Sequence, residues 1–347
     1  MRSLRSVGVQ AALASAVLFG AGTPVAKLLL GSVSPWMLAG LLYTGSGVGL
    51  GLYRLLTRAP RVQLEPGALR PLVGAVFFGG LLAPVLLLAG LANLPASGAS
   101  LLLNAEGVLT AVLAWLVFSE NVDRRVLLGM VAIVAGAVLL SVPTGASLGG
   151  VLPSLAVVGA CLCWALDNNL TRMVALNDAA WLAAVKGGVA GPVNLALAFA
   201  LGSRLPVGAS LAAALVVGFF AYGVSLVLFI VALRHLGTAR AGAYFSIAPF
   251  FGAGLAVALG DAITLPLVGA GLLMALGVWL HLTERHVHEH THAEVTHDHW
   301  HSHDDGHHGH AHDGGAAANA RHRHVHTHPA VTHAHEHYPD AHHRHGH

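Results

Sequence analysis

Two acidic side chains lie inside long apolar stretches of this sequence, where a charged group is costly and usually serves a function. Glu106 lies near the middle of one stretch, and an isolated carboxylate at that depth takes up a proton rather than staying charged. We therefore expect Glu106 to bind and release a proton; a neutral glutamate that only hydrogen-bonds a neighbouring helix is the alternative. Asp167 lies in another stretch, CLCWALDNNLTR, where an ion pair with Arg172 and contact with a solute explain it equally well.

Further polar side chains in the same stretches are candidates to line a site with these two carboxylates. They are Lys27, Asn104, Asn168, Tyr222, Tyr244 and Ser246. Asn104 points to a different helix face from Glu106 and would serve equally well in a hydrogen bond between helices. For Tyr222, a packing role is favoured over a place in the wall of a site.

Three other reactive side chains are not expected to take part in a site. Lys186 should extend its ammonium group toward the near membrane surface rather than bind an anion. Cys161 and Cys163 point apart on a helix, and free cysteines are often buried, so both are predicted to be small core residues.

Histidine dominates the C-terminal segment, residues 284–347, which holds 23 of the 25 histidines and nine acidic residues. Alternation of histidine with other residues puts imidazoles on one side of an extended chain. Sites rich in nitrogen and free of thiolate suit nickel, cobalt, zinc and copper(II). With so few apolar residues, the segment should be disordered without metal. The predicted ligands are His286, His288, His290, His292, His297, His299, His301, His303, His307, His308, His310, His312, His322, His324, His326 and His328.

The composition of the rest of the chain indicates an all-α integral membrane protein. Only 10% of the 347 residues are charged, against about 25% in a soluble domain, and mean hydropathy is +0.68. A bilayer core needs about 20 apolar residues per helix. Ten such runs recur, at residues 8–29, 35–56, 71–92, 96–118, 125–142, 151–172, 180–201, 208–232, 238–259 and 263–282.

Basic residues are concentrated in alternate loops between these runs, on the side that carries the N-terminus. The positive-inside rule therefore predicts an inner-membrane protein with both termini in the cytoplasm. The lipid bilayer is the expected partner, together with a small-molecule or ion substrate. No nucleic-acid partner is expected, and a homodimer is compatible with the sequence.

The runs also form an internal repeat. The segment LPASGASLLLNAEGVLTAVLAWLVFSE at 94–120 resembles LGTARAGAYFSIAPFFGAGLAVALGD at 236–261, with an offset of 142 residues up to Gly107 and Pro249. Each repeat contains five runs, an odd number, so the second copy would insert upside down. Inverted repeats allow a central site to face either side of a membrane. We expect one five-helix repeat in residues 1–142, a second in 149–283 and the histidine-rich tail in 284–347.

These residues resemble the EamA family of the drug/metabolite transporter superfamily. That family begins helix 1 with an aromatic residue and glycine and has a lysine about eight residues on, as in Phe19, Gly20 and Lys27. Its helices 4 and 9 carry small residues, then Glu-Pro or Pro, then an apolar run ending in Gly-Glu. The segments AEGVLTAVLAWLVFSE and APFFGAGLAVALGD are similar.

This chain departs from that pattern at Gly107, Ser119 and Asp261, where the family has proline, glycine and glutamate. The resemblance implies ten helices in two inverted repeats and transport across a membrane. It covers residues 8–283 and leaves out the tail.

Three functions remain open. The first is an alternating-access transporter that exports a small metabolite or drug-like solute and whose tail binds divalent metal. The second is an efflux carrier for nickel, cobalt or zinc, with the tail collecting cargo. The third is a membrane metal store, for which an inverted repeat has no use. No nucleophile elbow, phosphate loop or metalloprotease motif occurs in the sequence, so we expect no enzyme activity and no required cofactor.

Overall fold

The computed structural model describes residues 7–62, 64, 67–118, 124–141, 148–175, 177–283, 287–292, 295–301, 322–328 and 331–336. Up to residue 283 it is helical, and the tail contains strands. The helices are α1 (Val7–Leu29), α2 (Pro35–Leu56), α3 (Leu69–Ala75), α4 (Ala83–Ala92), α5 (Ala96–Leu102), α6 (Ala105–Phe118), α7 (Arg124–Ser141), α8 (Leu148–Arg172), α9 (Ala179–Ala200), α10 (Ala209–Val217), α11 (Ser225–Phe245), α12 (Ala248–Ala258) and α13 (Leu265–Leu282).

Five helical segments among the described residues are long and apolar enough to cross a membrane, and three shorter apolar helices accompany them. The five are Val7–Leu29, Leu69–Ala92, Val151–Arg172, Ala179–Ala200 and Ala209–Leu236. Large apolar side chains on the outside of the bundle, such as Leu152 and Leu272, are more than half exposed, as a lipid-facing surface requires. The predicted helical class is confirmed, while ten spans remain a prediction.

A π-helical segment interrupts two of these helices at matching positions. Val76–Leu82 joins α3 to α4, and Gly218–Val224, 142 residues later, joins α10 to α11. Each segment contains two adjacent phenylalanines packed edge to face, with ring centroids 5.2 Å apart in the first and 5.0 Å apart in the second. The same local interruption thus recurs at the spacing of the sequence repeat.

Matching helices pack against each other in opposite directions. Gly40 of α2 lies against Leu195 of α9, whereas Gly47 lies against Gly187, so these two helices are antiparallel. At Gly47 the two backbones are so close that a Cβ would collide with the backbone of α9, which explains the glycine-rich sequence of α2. In α7 and α13, Gly136 packs against Met274 and Gly277 against Ile133, again antiparallel.

The remaining contacts divide the helices into two groups. In the first group, α1 packs against α11 and α12, and in the second, α8 packs against α4 and α6. Helix α1 is antiparallel to the chain that runs from α10 into α11, because Gly8 lies against Leu236 and Gly22 against Ala221. The second group reproduces the arrangement of the first with the matching helices of the other repeat.

Polar residues begin α2 and α9 at equivalent places. Ser34 accepts a hydrogen bond from the Met37 amide, and Asp178 accepts one of 2.7 Å from the Trp181 amide, as N-caps do. Asp178 also pairs with Arg54 at 2.7 Å. Partial burial alone would raise the pKa of Asp178, but these two interactions outweigh it and lower the pKa.

The assigned helix α11 runs from Ser225 to Phe245 and so covers the stretch between the predicted runs that end at 232 and start at 238. The chain nevertheless turns back within it, because the rings of Phe229 and Phe245 lie 4.8 Å apart, whereas 16 residues of straight helix would separate them by about 24 Å. The predicted connection between the eighth and ninth runs therefore agrees with these contacts. A further helix break comes at the turn before Ala248, which matches the turn before Ala105 in the first repeat.

Four strands are described within the tail, which we expect to be disordered without metal. Val287–His292 (β1) pairs with Val331–Glu336 (β4), and Val295–His301 (β2) pairs with His322–His328 (β3), both antiparallel. Valine and threonine between the histidines favour extended chain. Ten of the sixteen histidines predicted to bind metal lie in β1, β2 and β3. The other six lie outside the described residues, namely His286, His303, His307, His308, His310 and His312.

A matched pair of glycines in α2 tests the close approach of α2 and α9. Gly47→Ala should destabilise the protein by about 1–3 kcal/mol, because the new methyl group overpacks a backbone contact. Gly51→Ala is the control, since a Cβ there meets nothing within 4 Å and alanine is the better helix former. Thermal unfolding in detergent measures both. Equal melting temperatures for the two variants would contradict the packing.

Candidate functional site

A cavity lies between the two groups of helices. The space that no atom fills is about 500 Å³, including the part open to solvent. Its lining consists of Phe19, Tyr43, Glu106, Trp164, Asp167, Asn168, Lys186, Ala221, Tyr222, Ser225, Leu226, Phe229 and Phe245. Concave sites with mainly apolar walls and a few polar groups are typical of small-molecule binding.

Six of the thirteen lining residues are aromatic. The ring of Phe19 packs edge to face on Trp164, with centroids 5.6 Å apart, and also contacts Tyr222 at 6.0 Å and Phe245 at 5.4 Å. Tyr222 in turn contacts Tyr43 at 5.4 Å. Each ring restricts the rotamers of the next, so the wall is preformed.

Asp167 and Lys186 form a buried ion pair on one side of the cavity. The Lys186 ammonium donates to both carboxylate oxygens, at 2.6 and 2.7 Å, and lies 3.3 Å from the Thr171 hydroxyl, which itself donates to Asp167. Asp167 is 5% and Lys186 2% exposed. The prediction that Lys186 extends toward the membrane surface is therefore wrong, because its ammonium bonds the Asp167 carboxylate of α8 instead.

The first π-helical segment holds this side of the cavity in place. A π turn frees carbonyl groups from the helical ladder, and the Gly79 carbonyl accepts hydrogen bonds from Tyr43 and Trp164. The Gly80 carbonyl accepts one of 3.0 Å from Asn194. A side chain at Gly79 would collide with the carboxylate of Asp167, so glycine is needed there.

Glu106 faces the cavity from α6, immediately after the turn that breaks the helix between α5 and α6. The Asn168 amide donates a 2.7 Å hydrogen bond to the Glu106 carboxyl group. Within the described residues no cation is shown bonded to it, whereas Asp167 is paired with Lys186. Glu106 is thus the lining carboxyl group best able to change its protonation state.

The predicted site residues divide into two sets. Glu106, Asp167, Asn168 and Tyr222 line the cavity, and the lining does not include the others. Lys27 donates to the Leu91 and Ala92 carbonyls at the end of α4. Asn104 bonds the Leu101 carbonyl and Met274, Ser246 bonds the Gly242 carbonyl one turn back, and Tyr244 packs against α1 and α11. Cys161 and Cys163 are buried and free, as predicted.

Several lining residues were missed from the sequence. The most important of them is Lys186. Its pairing with Asp167 could have been suspected, because the two residues are oppositely charged and lie in consecutive apolar runs. Phe19, Tyr43, Phe229 and Phe245 carry no signal that separates a cavity wall from ordinary packing. Among the described side chains, no cluster of histidine, cysteine, aspartate and glutamate is arranged to hold a metal ion.

A model of the EamA-like transporter family matches this sequence twice, over residues 6–142 and 152–283. The chain belongs to the EamA-like transporter family. As a member of that family it is a multi-pass membrane protein, and transport of a small molecule or ion is the activity that membership indicates.

Two relatives are similar to this EamA-like chain. A protein described as an uncharacterized transporter, from Methanothermobacter thermautotrophicus strain Delta H, is 29% identical over 262 residues, which cover 70% of this chain and 76% of that protein. One solved crystal structure has a TM-score of 0.60 and 19% sequence identity, over 80% of this chain and 96% of that one. At that identity the likeness supports the fold alone.

The buried ion pair in this EamA-like cavity predicts a large loss of stability when one partner is removed. Lys186→Met should destabilise the protein by about 3–5 kcal/mol, because Asp167 is left as a buried, unpaired charge. Adding Asp167→Asn should restore most of the loss, since neither partner is then charged. Thermal unfolding in detergent completes the double-mutant cycle. The control Arg204→Met removes an exposed charge and should change little. Single and double variants of equal stability would contradict coupling.

Proposed function

We propose that this protein is a secondary transporter that moves a small organic solute by alternating access and exports it from the cell. The observation that carries the proposal is the aromatic-walled cavity between the two groups of helices, with a carboxyl group from each repeat in its wall. A site in this position is exposed to one side or the other as the groups move against each other.

An inverted repeat of ten spans is part of the proposal. Helices α2 and α9 occupy equivalent places in the two family matches, yet Gly40 lies against Leu195 and Gly47 against Gly187. A two-fold axis in the membrane plane would relate two equivalent helices in this way, because it makes them run in opposite directions. Together with the basic loops, this supports an inner-membrane protein with both termini in the cytoplasm.

The wall of the cavity favours an amphipathic organic solute. Six of its thirteen residues are aromatic, and rings bind apolar surfaces and organic cations well. Since Lys186 neutralises Asp167, Glu106 is left to receive a proton or a positively charged or hydrogen-bonding group of the solute. Binding of one would displace the other, which couples export of the solute to entry of a proton.

Substitution of Glu106 tests this coupling. Glu106→Gln should abolish transport driven by a proton gradient but leave solute exchange largely intact, because glutamine keeps the hydrogen bond to Asn168 and loses only the proton. Uptake of candidate solutes into proteoliposomes, with and without a pH gradient, measures both activities.

Asp178→Asn is the matched control for that experiment, because it makes the same chemical change outside the cavity. It should retain gradient-driven transport. Full gradient-driven transport by Glu106→Gln would remove Glu106 from the mechanism.

Efflux of nickel, cobalt or zinc is the second candidate, and the histidine-rich tail favours it. Against it, the lining of the cavity contains neither histidine nor cysteine, and borderline metals prefer those ligands. We therefore propose that the tail binds divalent metal to buffer it or to regulate the carrier. The homodimer remains a prediction.

Truncation at residue 284 separates the two candidates. If metal is the cargo, the truncated protein should lose metal efflux most at low cytosolic metal, where capture matters. If the tail only buffers or regulates, solute transport should stay normal and lose its response to added metal. Metal binding to the full chain should weaken between about pH 7 and pH 5.5, as imidazoles take up protons. A truncated carrier with unchanged metal efflux and metal response would contradict both roles.

A further inference from the structure

Two basic side chains tie the helix groups together at opposite ends of the cavity. At one end, the Lys27 ammonium of α1 donates to the Leu91 carbonyl at 2.7 Å and the Ala92 carbonyl at 3.0 Å. These carbonyls end α4, where a helix leaves acceptors without partners and favours a positive charge. Helix α1 belongs to the first group and α4 to the second, so the contact crosses the boundary between the groups.

At the other end, Arg234 makes the equivalent connection. Its Nε donates to the Ala175 carbonyl at 3.1 Å, and its guanidinium also donates to the Asn177 carbonyl. Arg234 belongs to α11, in the first group. Ala175 and Asn177 follow the end of α8, in the second. Again a cation of the first group bonds free carbonyls beside a helix end of the second.

Helix α8 shows that the two contacts are at opposite ends. Gly90, next to the carbonyls held by Lys27, packs against Pro153 and Val157 near the start of α8. The carbonyls held by Arg234 come just after α8 ends at Arg172. About 20 residues of helix separate them, or roughly 30 Å. Trp164, Asp167 and Asn168, which line the cavity, lie between.

We propose that Lys27 and Arg234 are the two gate residues of the carrier, one for each side of the membrane. This rests on the proposed alternating access. When the cation withdraws, the carbonyl groups at that helix end lose a donor and take up water in its place. Within the described residues, only Leu91 keeps a backbone bond, of 3.4 Å from the Leu94 amide. Breaking the Lys27 contact therefore admits water at its end of the cavity, and breaking the Arg234 contact admits water at the other. A cycle would open them in turn.

Accessibility of a cavity cysteine tests the proposal without any solute. The background replaces the two native cysteines by alanine and introduces Ser225→Cys, because Ser225 is buried in the cavity wall. Its reaction with a membrane-impermeant maleimide is followed in right-side-out and inside-out membrane vesicles. Lys27→Met should speed the reaction about tenfold or more from one side only, since hydrogen bonds from a charged group shift a two-state equilibrium by at least that factor.

Arg234→Met should speed the reaction by a similar factor from the opposite side only. Lys27→Arg and Arg234→Lys keep the donors and should return the rates toward those of the background. Arg204→Met and Arg70→Met, which remove exposed charges, should change neither rate. The expected result does not depend on which side proves to be the cytoplasm.

Acceleration from the same side by both variants, or no acceleration by either, would overturn the proposal. Lower stability with unchanged labelling rates would also overturn the proposal, because the two residues would then hold the helix groups together throughout the cycle. The gates and the transport function can fail separately. Opposite-sided labelling in a protein that moves no solute would contradict transport alone, and transport with unchanged labelling would contradict the gates alone.

Discussion

The buried pair of Asp167 and Lys186 sets the conditions that the surrounding structure has to meet. Two charges in an apolar bundle are tolerated only when every oxygen and proton has a partner, and Thr171 completes the set. The pair joins α8 to α9, and its carboxylate occupies the space that a side chain at position 79 would need. The glycine, the hydroxyl and the close approach of three elements therefore follow from one ion pair.

The same glycine connects the ion pair to the aromatic wall. A π-helical segment at membrane depth would be costly if its freed carbonyls found no donors. Tyr43 and Trp164 supply donors to Gly79, and Asn194 supplies one to Gly80. Because the polar end of each ring is fixed on the backbone, its apolar face is directed into the cavity. The polar requirement of the backbone thus orients the surface that would meet a solute.

Much of the fold could be predicted because the bilayer enforces length and composition on each helix. The predicted run at 35–56 coincides with α2, and the run at 180–201 differs from α9 by one residue at each end. Glu106 could be found because its chemistry is unusual at its depth. Lys186 was misjudged because its fate depends on α8, and spacing within a helix says nothing about the neighbour.

The scaffold repeats itself, but its charges do not. At the repeat spacing of 142 residues, Glu106 matches Ala248, Asp167 matches Val25 and Lys186 matches Thr44. All three lining charges therefore lack counterparts under the repeat, whereas the π-helical segments and the antiparallel helix pairs have them. In the inverted repeat that we propose, the two openings would have similar free energies, so a preference for one of them has to come from the unequal parts. The ionisable lining residues lie in α6, α8 and α9, whereas α1 and α11 contribute only uncharged ones. Within that proposed repeat, this division would give the proton one defined place.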